Sequence, residues 1–292
     1  MLRRLYTGLP IFNVRPQSFH EFILITISFC VGSVSLLLSA ILAIYDKNLL
    51  VQYNLRWYDI LARFNIKSII YYSNGLLFRI PPSPGDVLTV SLLHDGDGAD
   101  LFDPQKDDVV LDIGAHLGGY AIRAAKLVGL NGKVIAIEAN PERCKLLSNT
   151  VRLNSLNNID IFNLAASSNE GILTLYDSGL TGSPLKEAAE SFFVNFDTYE
   201  IPSASIDSIV DDFEISKIDW VKIDVDGGEK EVILGMANTL SISKNLVLEV
   251  IGVNLDFVLN TLASNGFKTI TTLHMDASES WKINYDVFAT KS

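Results

Sequence analysis

Three carboxylates crowd one short stretch of this chain: Asp224, Asp226 and Glu229, within IDWVKIDVDGGEKEVILG. Residues two apart on a strand project to the same face, so Asp224 and Asp226 can point into one pocket. Neighbouring carboxylates raise one another's pKa, which suits one of them to accept a proton near neutral pH. Such a group can act as general base toward a hydroxyl. The same hard oxygens could instead hold Mg²⁺ or Ca²⁺, and Glu229 could simply cap the helix that follows it; no metal is assigned.

A second constellation lies earlier, in VVLDIGAHLGGY, where Asp112 and Gly114 end a β-branched run and His116, Gly118 and Gly119 follow. Glycines there let the backbone turn tightly and approach a ligand, so a nucleotide is implied. A dinucleotide site wants G-x-G-x-x-G, with the pyrophosphate at a helix N-terminus. Gly114, Gly118 and Gly119 do not have that spacing. Asp112 would repel a pyrophosphate, yet it suits a ligand carrying an amino group and a sulfonium. S-adenosylmethionine is therefore favoured over NAD, and a nucleotide-dependent oxidoreductase is disfavoured.

Glu138 ends the next apolar run, where its carboxylate can accept from both hydroxyls of a ribose. Ala139 beside it is read as a further cofactor-binding position, and Ala165, in the small-residue stretch 163–166 after the third run, as either part of a cofactor-binding wall against adenine or an ordinary loop residue. His116 could touch the cofactor, act as base or only pack. Glu249 could face the same crevice, or be a buried charge paired to a neighbour. Asp207 could orient a crossover or cap a helix, and is not read as catalytic.

Those residues need a scaffold that brings strand ends together. From Asp107 onward, β-branched runs alternate with amphipathic stretches, the pattern of a parallel sheet covered by helices. The expected strands are VVLDIG, KVIAIEA, IDIFNLA, IDWVKIDV and NLVLEV, with helices over 141–154 and 229–240. Residues 267–273 and 281–290 read as an antiparallel pair at the sheet edge. In such sheets ligands bind beyond the carboxyl ends of the strands, near the point where strand order reverses. Asp112, Glu138 and Asp224 all fall there.

The front of the chain differs. Residues 22–44 run without a charge or a proline. At about 1.5 Å per helical residue they span a hydrocarbon core of about 30 Å, so one transmembrane helix is expected. Basic residues flank both ends almost evenly and leave its orientation open. Leu50, Tyr53, Trp57, Ile60, Leu61 and Phe64 then recur at helical spacing, which predicts an amphipathic helix. Asn74-Gly75 between two apolar runs predicts a β-hairpin. The expected organisation is a tail over 1–21, a membrane helix over 22–44, a helix-and-hairpin preamble over 45–104, and a catalytic domain over 105–292.

Composition narrows the partners. With 48% hydrophobic residues over 292 positions, the chain can bury a sizeable core. Its net charge of −11 repels a phosphate backbone, and no basic stripe offsets it, so no nucleic acid is expected.

Taken in order and type, VVLDIGAHLGGY, KVIAIEANPERCKLLSNTVRLN, SIDSIV and IDWVKIDVDGGEKEVILG resemble the motifs of the FkbM family of S-adenosylmethionine-dependent methyltransferases. The resemblance covers residues 107–251. It departs at Ala139, where the family usually has Pro, and at Asp226-Gly227-Gly228-Glu229, where Glu-Gly-Ala-Glu is commoner. The resemblance implies an α/β, Rossmann-like class I methyltransferase sheet with S-adenosylmethionine as cofactor. It also implies O-methylation of a hydroxyl on a glycan, lipid-linked sugar or secondary metabolite. The membrane helix suits a lipid-linked acceptor, and S-adenosylmethionine is made in the cytoplasm, so a single-pass protein with its catalytic domain on the cytoplasmic side is expected. The alternative is a membrane-tethered scaffold that keeps the fold and has lost catalysis.

Overall fold

The computed structural model describes residues 14–15, 67–73, 75–83, 85–86, 89–90, 101–178, 182–192, 195–275 and 284–291. The chain divides into two compact units, Met1–His94 and Asp95–Ser292. In the first, β1 (Val14–Arg15), β2 (Ile69–Ser73) and β3 (Leu76–Ile80) form an antiparallel sheet in that order. Ser73 pairs with Leu76, so β2 and β3 form the hairpin expected from the sequence. The stretches 22–44 and 50–64, expected as membrane and amphipathic helices, lie outside the described residues. Among the described residues no helix is long and apolar enough to cross a membrane.

The second unit contains β4 (Val109–Ile113), β5 (Lys133–Ile137), β6 (Ile159–Phe162), β7 (Ala165–Ala166), β8 (Gly171–Asp177), β9 (Gly182–Ser183), β10 (Asp197–Ala204), β11 (Ile218–Ile223), β12 (Ser243–Ile251), β13 (Lys268–Met275) and β14 (Asn284–Thr290). Its helices are α1 (Gly119–Val128), α2 (Pro141–Leu153), α3 (Lys186–Phe192), α4 (Ile206–Asp212), α5 (Glu229–Leu234), α6 (Ala237–Ile242) and α7 (Gly252–Ser264). Seven strands make one sheet in the order β13-β14-β12-β11-β4-β5-β6. Neighbours from β12 to β6 run parallel; β14 is antiparallel to both β12 and β13. Strand order reverses between β4 and β11, which places a crevice beyond the ends of those two strands.

Alternation along each strand sorts the side chains onto two faces. Leu111, Ile113, Ile135, Ile137, Val221, Ile223, Leu246 and Leu248 pack with Ile206, Ile209, Val232, Ile233, Leu240, Val258 and Leu262 from α4 to α7, forming the larger core. The residues between them, Val110, Asp112, Trp220 and Lys222, face the other way. There Phe102 meets Tyr120 and Trp220 edge to face at centroid distances of 5.1 and 5.4 Å, and Trp220 lies against Phe288. This aromatic layer supports the charged groups at the strand ends above it.

Local chemistry starts the helices where they start. Asn140 caps α2 by accepting from the N–H groups of Glu142 and Arg143, and Pro141 supplies a pre-set φ at its first turn. Asp207 acts across helices. Its carboxylate accepts from the N–H groups of Asn238 and Thr239 at 3.0 and 2.7 Å, so it caps α6 from α4.

Two features differ from the pattern in the sequence. The stretch 229–240 is two helices rather than one, broken at Gly235 and Met236. A Cβ at Gly235 would stand 2.0 Å from the Ser167 carbonyl oxygen, so the break is where another backbone presses against the helix. The second feature is a separate four-stranded sheet, β7-β10-β8-β9, inserted between β6 and α4.

Candidate functional site

At the reversal point, Asp224 N–H donates to Ile113 C=O at 2.9 Å, prolonging the ladder between β4 and β11 past the strand ends. Gly114 follows immediately, at φ +80°, with no room for a side chain between it and the Asp224 backbone. Its N–H and that of Ala115 both donate to Ile137 C=O at 2.9 Å, so the loop is fastened to β5 as well.

Asp112 lies just inside this turn and is 1% exposed. Neither carboxylate oxygen has a hydrogen-bond partner. Burial pushes its pKa up to about 6; Lys222 opposes this, Asp224 reinforces it, and the Ala121 N–H in the first turn of α1, which approaches without closing a hydrogen bond, gives only the smallest relief. A buried carboxylate with both oxygens orphaned is expensive unless a ligand supplies a donor.

Glu138, 6% exposed, has a different environment. It accepts from the His116 N–H at 2.7 Å and the Asn140 N–H at 2.8 Å. Burial raises its pKa, against Arg143 and those two amides. Each oxygen keeps a lone pair for a further donor. His116 adopts φ 52° to present its amide to Glu138, so its main chain serves the site. Gly118 begins α1 with its backbone against the Leu147 side chain. Its closest neighbours are packing contacts. Ala139 and Ala165 meet in a small cluster with Leu175 and Ile201 at the root of the inserted sheet. Asn163 ties the two turns together, donating through Nδ2 to the carbonyls of Glu138 and Ala139 at 2.9 and 3.0 Å.

On the β11 side, Lys222 Nζ donates to Asp224 Oδ2 at 2.9 Å and sits 5.1 Å from the Tyr120 ring centroid. Register sets Lys222 beside Asp112. Burial works against the lysine's charge, but Asp224 and Asp112 outweigh it and hold its pKa above the usual value. Asp226 occupies φ 45° in the turn that follows, and its carbonyl accepts from Ser183 Oγ at 2.6 Å.

Glu229 is 1% exposed, and both its oxygens are engaged. Oε1 accepts from the Gly227 N–H at 2.6 Å and Oε2 from Asn254 Nδ2 at 2.5 Å, while Asn254 also donates to Gly227 C=O. Its carboxylate holds the turn that carries Asp226.

The structure therefore gathers Asp112, Gly114, His116 and Glu138 on the β4–β5 side, and Asp224 and Asp226 on the β11 side. Ala139 and Ala165 flank the first group, and Gly118 and Glu229 lie behind the surfaces they shape. Among the described residues no three His, Cys, Asp or Glu side chains converge as a metal set. Sequence reasoning did not single out Lys222, Tyr120, Asn284, or the buried pair of Arg143 with Asp177. Lys222 precedes Asp224 by two and shares its face, a signal that strand alternation could have supplied.

Comparison with known proteins adds the following. The model of the methyltransferase FkbM domain matches residues 112–269, more than half of the chain. The hexuronic acid methyltransferase AglP of Haloferax volcanii is 26% identical over 218 residues, covering 74% of this chain and 82% of that protein. The solved methyltransferase FkbM of Methylobacillus flagellatus KT aligns with a TM-score of 0.43 at 16% identity, covering 68% of this chain and 47% of its own. TYW2 of M. jannaschii, solved in complex with AdoMet, aligns with a TM-score of 0.42 at 16% identity, covering 77% of this chain and 87% of its own.

Proposed function

Because the chain belongs to the FkbM methyltransferase family, we propose that it O-methylates a hydroxyl of a glycan, lipid-linked sugar or secondary metabolite. S-adenosylmethionine is its cofactor; when bound, it supplies an electrophilic methyl carbon on a positively charged sulfur. The observation that carries the assignment of this pocket is Asp112, a buried carboxylate beside the turn after β4 whose two oxygens close no hydrogen bond. That combination fits a cationic ligand bearing N–H donors.

Each remaining residue has a task of its own. Glu138 offers its spare lone pairs to ribose hydroxyls, and His116 and Asn140 fix its orientation. Ala139 and Ala165 border the space beside it. Asp224 and Asp226 face the acceptor, with Lys222 orienting Asp224. Glu229 keeps the Asp226 turn in place. Methyl transfer to oxygen is an in-line displacement, so holding the acceptor hydroxyl in register and removing its proton is the protein's share of the work.

The relative from Haloferax volcanii is named for methylation of a hexuronic acid, which supports a sugar acceptor here. The uncharged run over 22–44 supports a membrane anchor, with the catalytic domain on the cytoplasmic side where S-adenosylmethionine is made. Calorimetry tests the pocket. Wild-type protein should bind S-adenosylmethionine and not NAD, and Asp112→Ala and Glu138→Ala should each weaken binding. A folded protein that binds no S-adenosylmethionine would leave the scaffold reading in front.

A further inference from the structure

Glu249 lies two residues before the end of β12, one strand over from Asp224. The parallel register that sets Ile223 beside Leu248 carries on to set Asp224 beside Glu249, and alternation turns both side chains to the face of Lys222. On its other side β12 pairs with β14, where Asp286 lies opposite Glu249 and Asn284 opposite Ile251. Asn284 Nδ2 donates to Glu249 Oε1 at 2.8 Å. Among the described residues no hydrogen bond engages Glu249 Oε2. Asn284 is only 8% exposed, and its Oδ1 is buried without a hydrogen-bond partner. An amide held by a carboxylate on one arm and orphaned on the other marks a place where a further donor belongs.

Of the other carboxylates at this end, Asp224 gives its Oδ2 to the Lys222 ammonium, and Glu229 is buried and spent on Gly227 and Asn254; Ser183 holds the Asp226 turn through its backbone carbonyl. Glu249 keeps an uncommitted oxygen. We propose that Glu249 is the general base that takes the acceptor hydroxyl proton, with Asn284 as its positioning residue and with the Asn284 carbonyl accepting from a second donor on the acceptor. This deepens the methyl-transfer reading above and rests on it.

The electrostatics agree. Asp224 is the largest influence raising the Glu249 pKa, to about 8, followed by burial and Asp226; Lys222 and the Asn284 hydrogen bond oppose the shift. Asp286 faces the same group from β14, and Tyr120 and Asp112 stand behind Lys222. A proton arriving on Glu249 relieves repulsion between carboxylates. Asn284 can serve both forms, since its NH₂ donates to the ionised carboxylate and, after a half turn, its C=O accepts from the protonated one. In the transfer, the hydroxyl oxygen bonds to the methyl carbon and the carbon–sulfur bond breaks, leaving its electron pair on sulfur. The hydroxyl proton passes to Glu249 Oε2 and then to water.

The test compares full-length wild type, E249Q and N284A. The probes are S-adenosylmethionine binding by calorimetry and transfer of its labelled methyl group at varied pH. The acceptors are methyl glycosides of a neutral hexose, an amino sugar and a hexuronic acid, and the glycolipid fraction of cells lacking the protein. We expect E249Q to bind S-adenosylmethionine within about two-fold of wild type yet lose roughly 100-fold in kcat, the low end of what a general base contributes. Wild-type kcat should rise with pH toward a plateau above about 8, and E249Q should lack that limb. N284A should raise the acceptor KM and move the limb to higher pH, because it removes a donor to the ionised form. E249Q with wild-type kcat and the same limb overturns the proposal, and should E249Q fail to fold, an unshifted limb and KM in N284A overturns it. Folded wild type that binds no S-adenosylmethionine, or binds it and labels no acceptor, overturns the methyl-transfer reading and this inference with it.

Discussion

Gly114 and Asp224 press together where the sheet reverses: a Cβ on Gly114 would stand 1.8 Å from the Asp224 carbonyl oxygen. The glycine turn after β4 and the end of β11 thus share one wall, with no side chain between them. Gly114→Ala must push β4 and β11 apart and also hold alanine at φ +80°. The backbone strain alone costs about 1–3 kcal/mol. Scanning calorimetry should show a lowered Tm, and S-adenosylmethionine affinity should fall at least roughly ten-fold, about 1.4 kcal/mol. Wild-type Tm and affinity in this variant would contradict the close approach.

Asp112→Asn should separate binding from stability. The carboxylate's pKa rises from 3.8 to about 6 on folding, so its contribution favours the fold below 3.8 and is lost as pH climbs through about 6. Near neutral pH the ionised group is a burden. The variant should therefore unfold at the same or a higher temperature than wild type, while binding S-adenosylmethionine roughly ten-fold or more weakly, as loss of a charge-assisted hydrogen bond implies. In wild type, affinity should weaken as pH falls below about 6.

Glu249 carries the same sign over a higher window. Its pKa goes from 4.5 to about 8, so wild type should lose stability steadily as pH rises across that interval. Urea midpoints measured at both ends of the interval should show this slope, and Glu249→Gln should flatten it. A slope unchanged by the substitution would assign the loss to other groups.

Arg143 and Asp177 form a buried bidentate pair, at 2.5 and 3.1 Å, and Asn140 adds a third hydrogen bond to Asp177 at 3.0 Å. Asp177→Ala leaves the guanidinium buried without its partner and should cost roughly 3–5 kcal/mol by urea denaturation. The double substitution Arg143→Met with Asp177→Leu should cost less than either single charge removal. Additive losses would show that the pair does not act as a unit.

The strand ends were the most legible part of this molecule. Asp112, Glu138 and Asp224 each follow an apolar β-branched run, and alternation plus the reversal rule were enough to send them to one end of the sheet. Lateral relationships were less visible. Lys222 stands beside Asp112 because of the register of two strands far apart in sequence, and Asn284 reaches Glu249 only because β14 inserts between β12 and β13. The inserted sheet was missed although ILTLYD alternates well: polar and glycine residues surround it, and Pro202 lies within β10, where a proline argues against a paired strand. The helix break at Gly235 followed from the backbone of Ser167, which no local pattern announces. Asp207, read as a possible cap, does cap a helix, though not its own.

Among the described residues, hydrogen bonds hold the inserted sheet through Asp177 on Arg143 and Asn140 beside Glu138, Ser183 on the Asp226 carbonyl, and Ser168 Oγ on the Glu231 carboxylate of α5. None of its strands pairs with the seven-stranded sheet. Between those anchors its length and side chains can be rebuilt without re-registering any strand that carries Asp112, Lys222 or Glu249. Evolution can therefore change what borders the Asp226 turn as a module, leaving the strand ends that carry Asp112 and Lys222 intact.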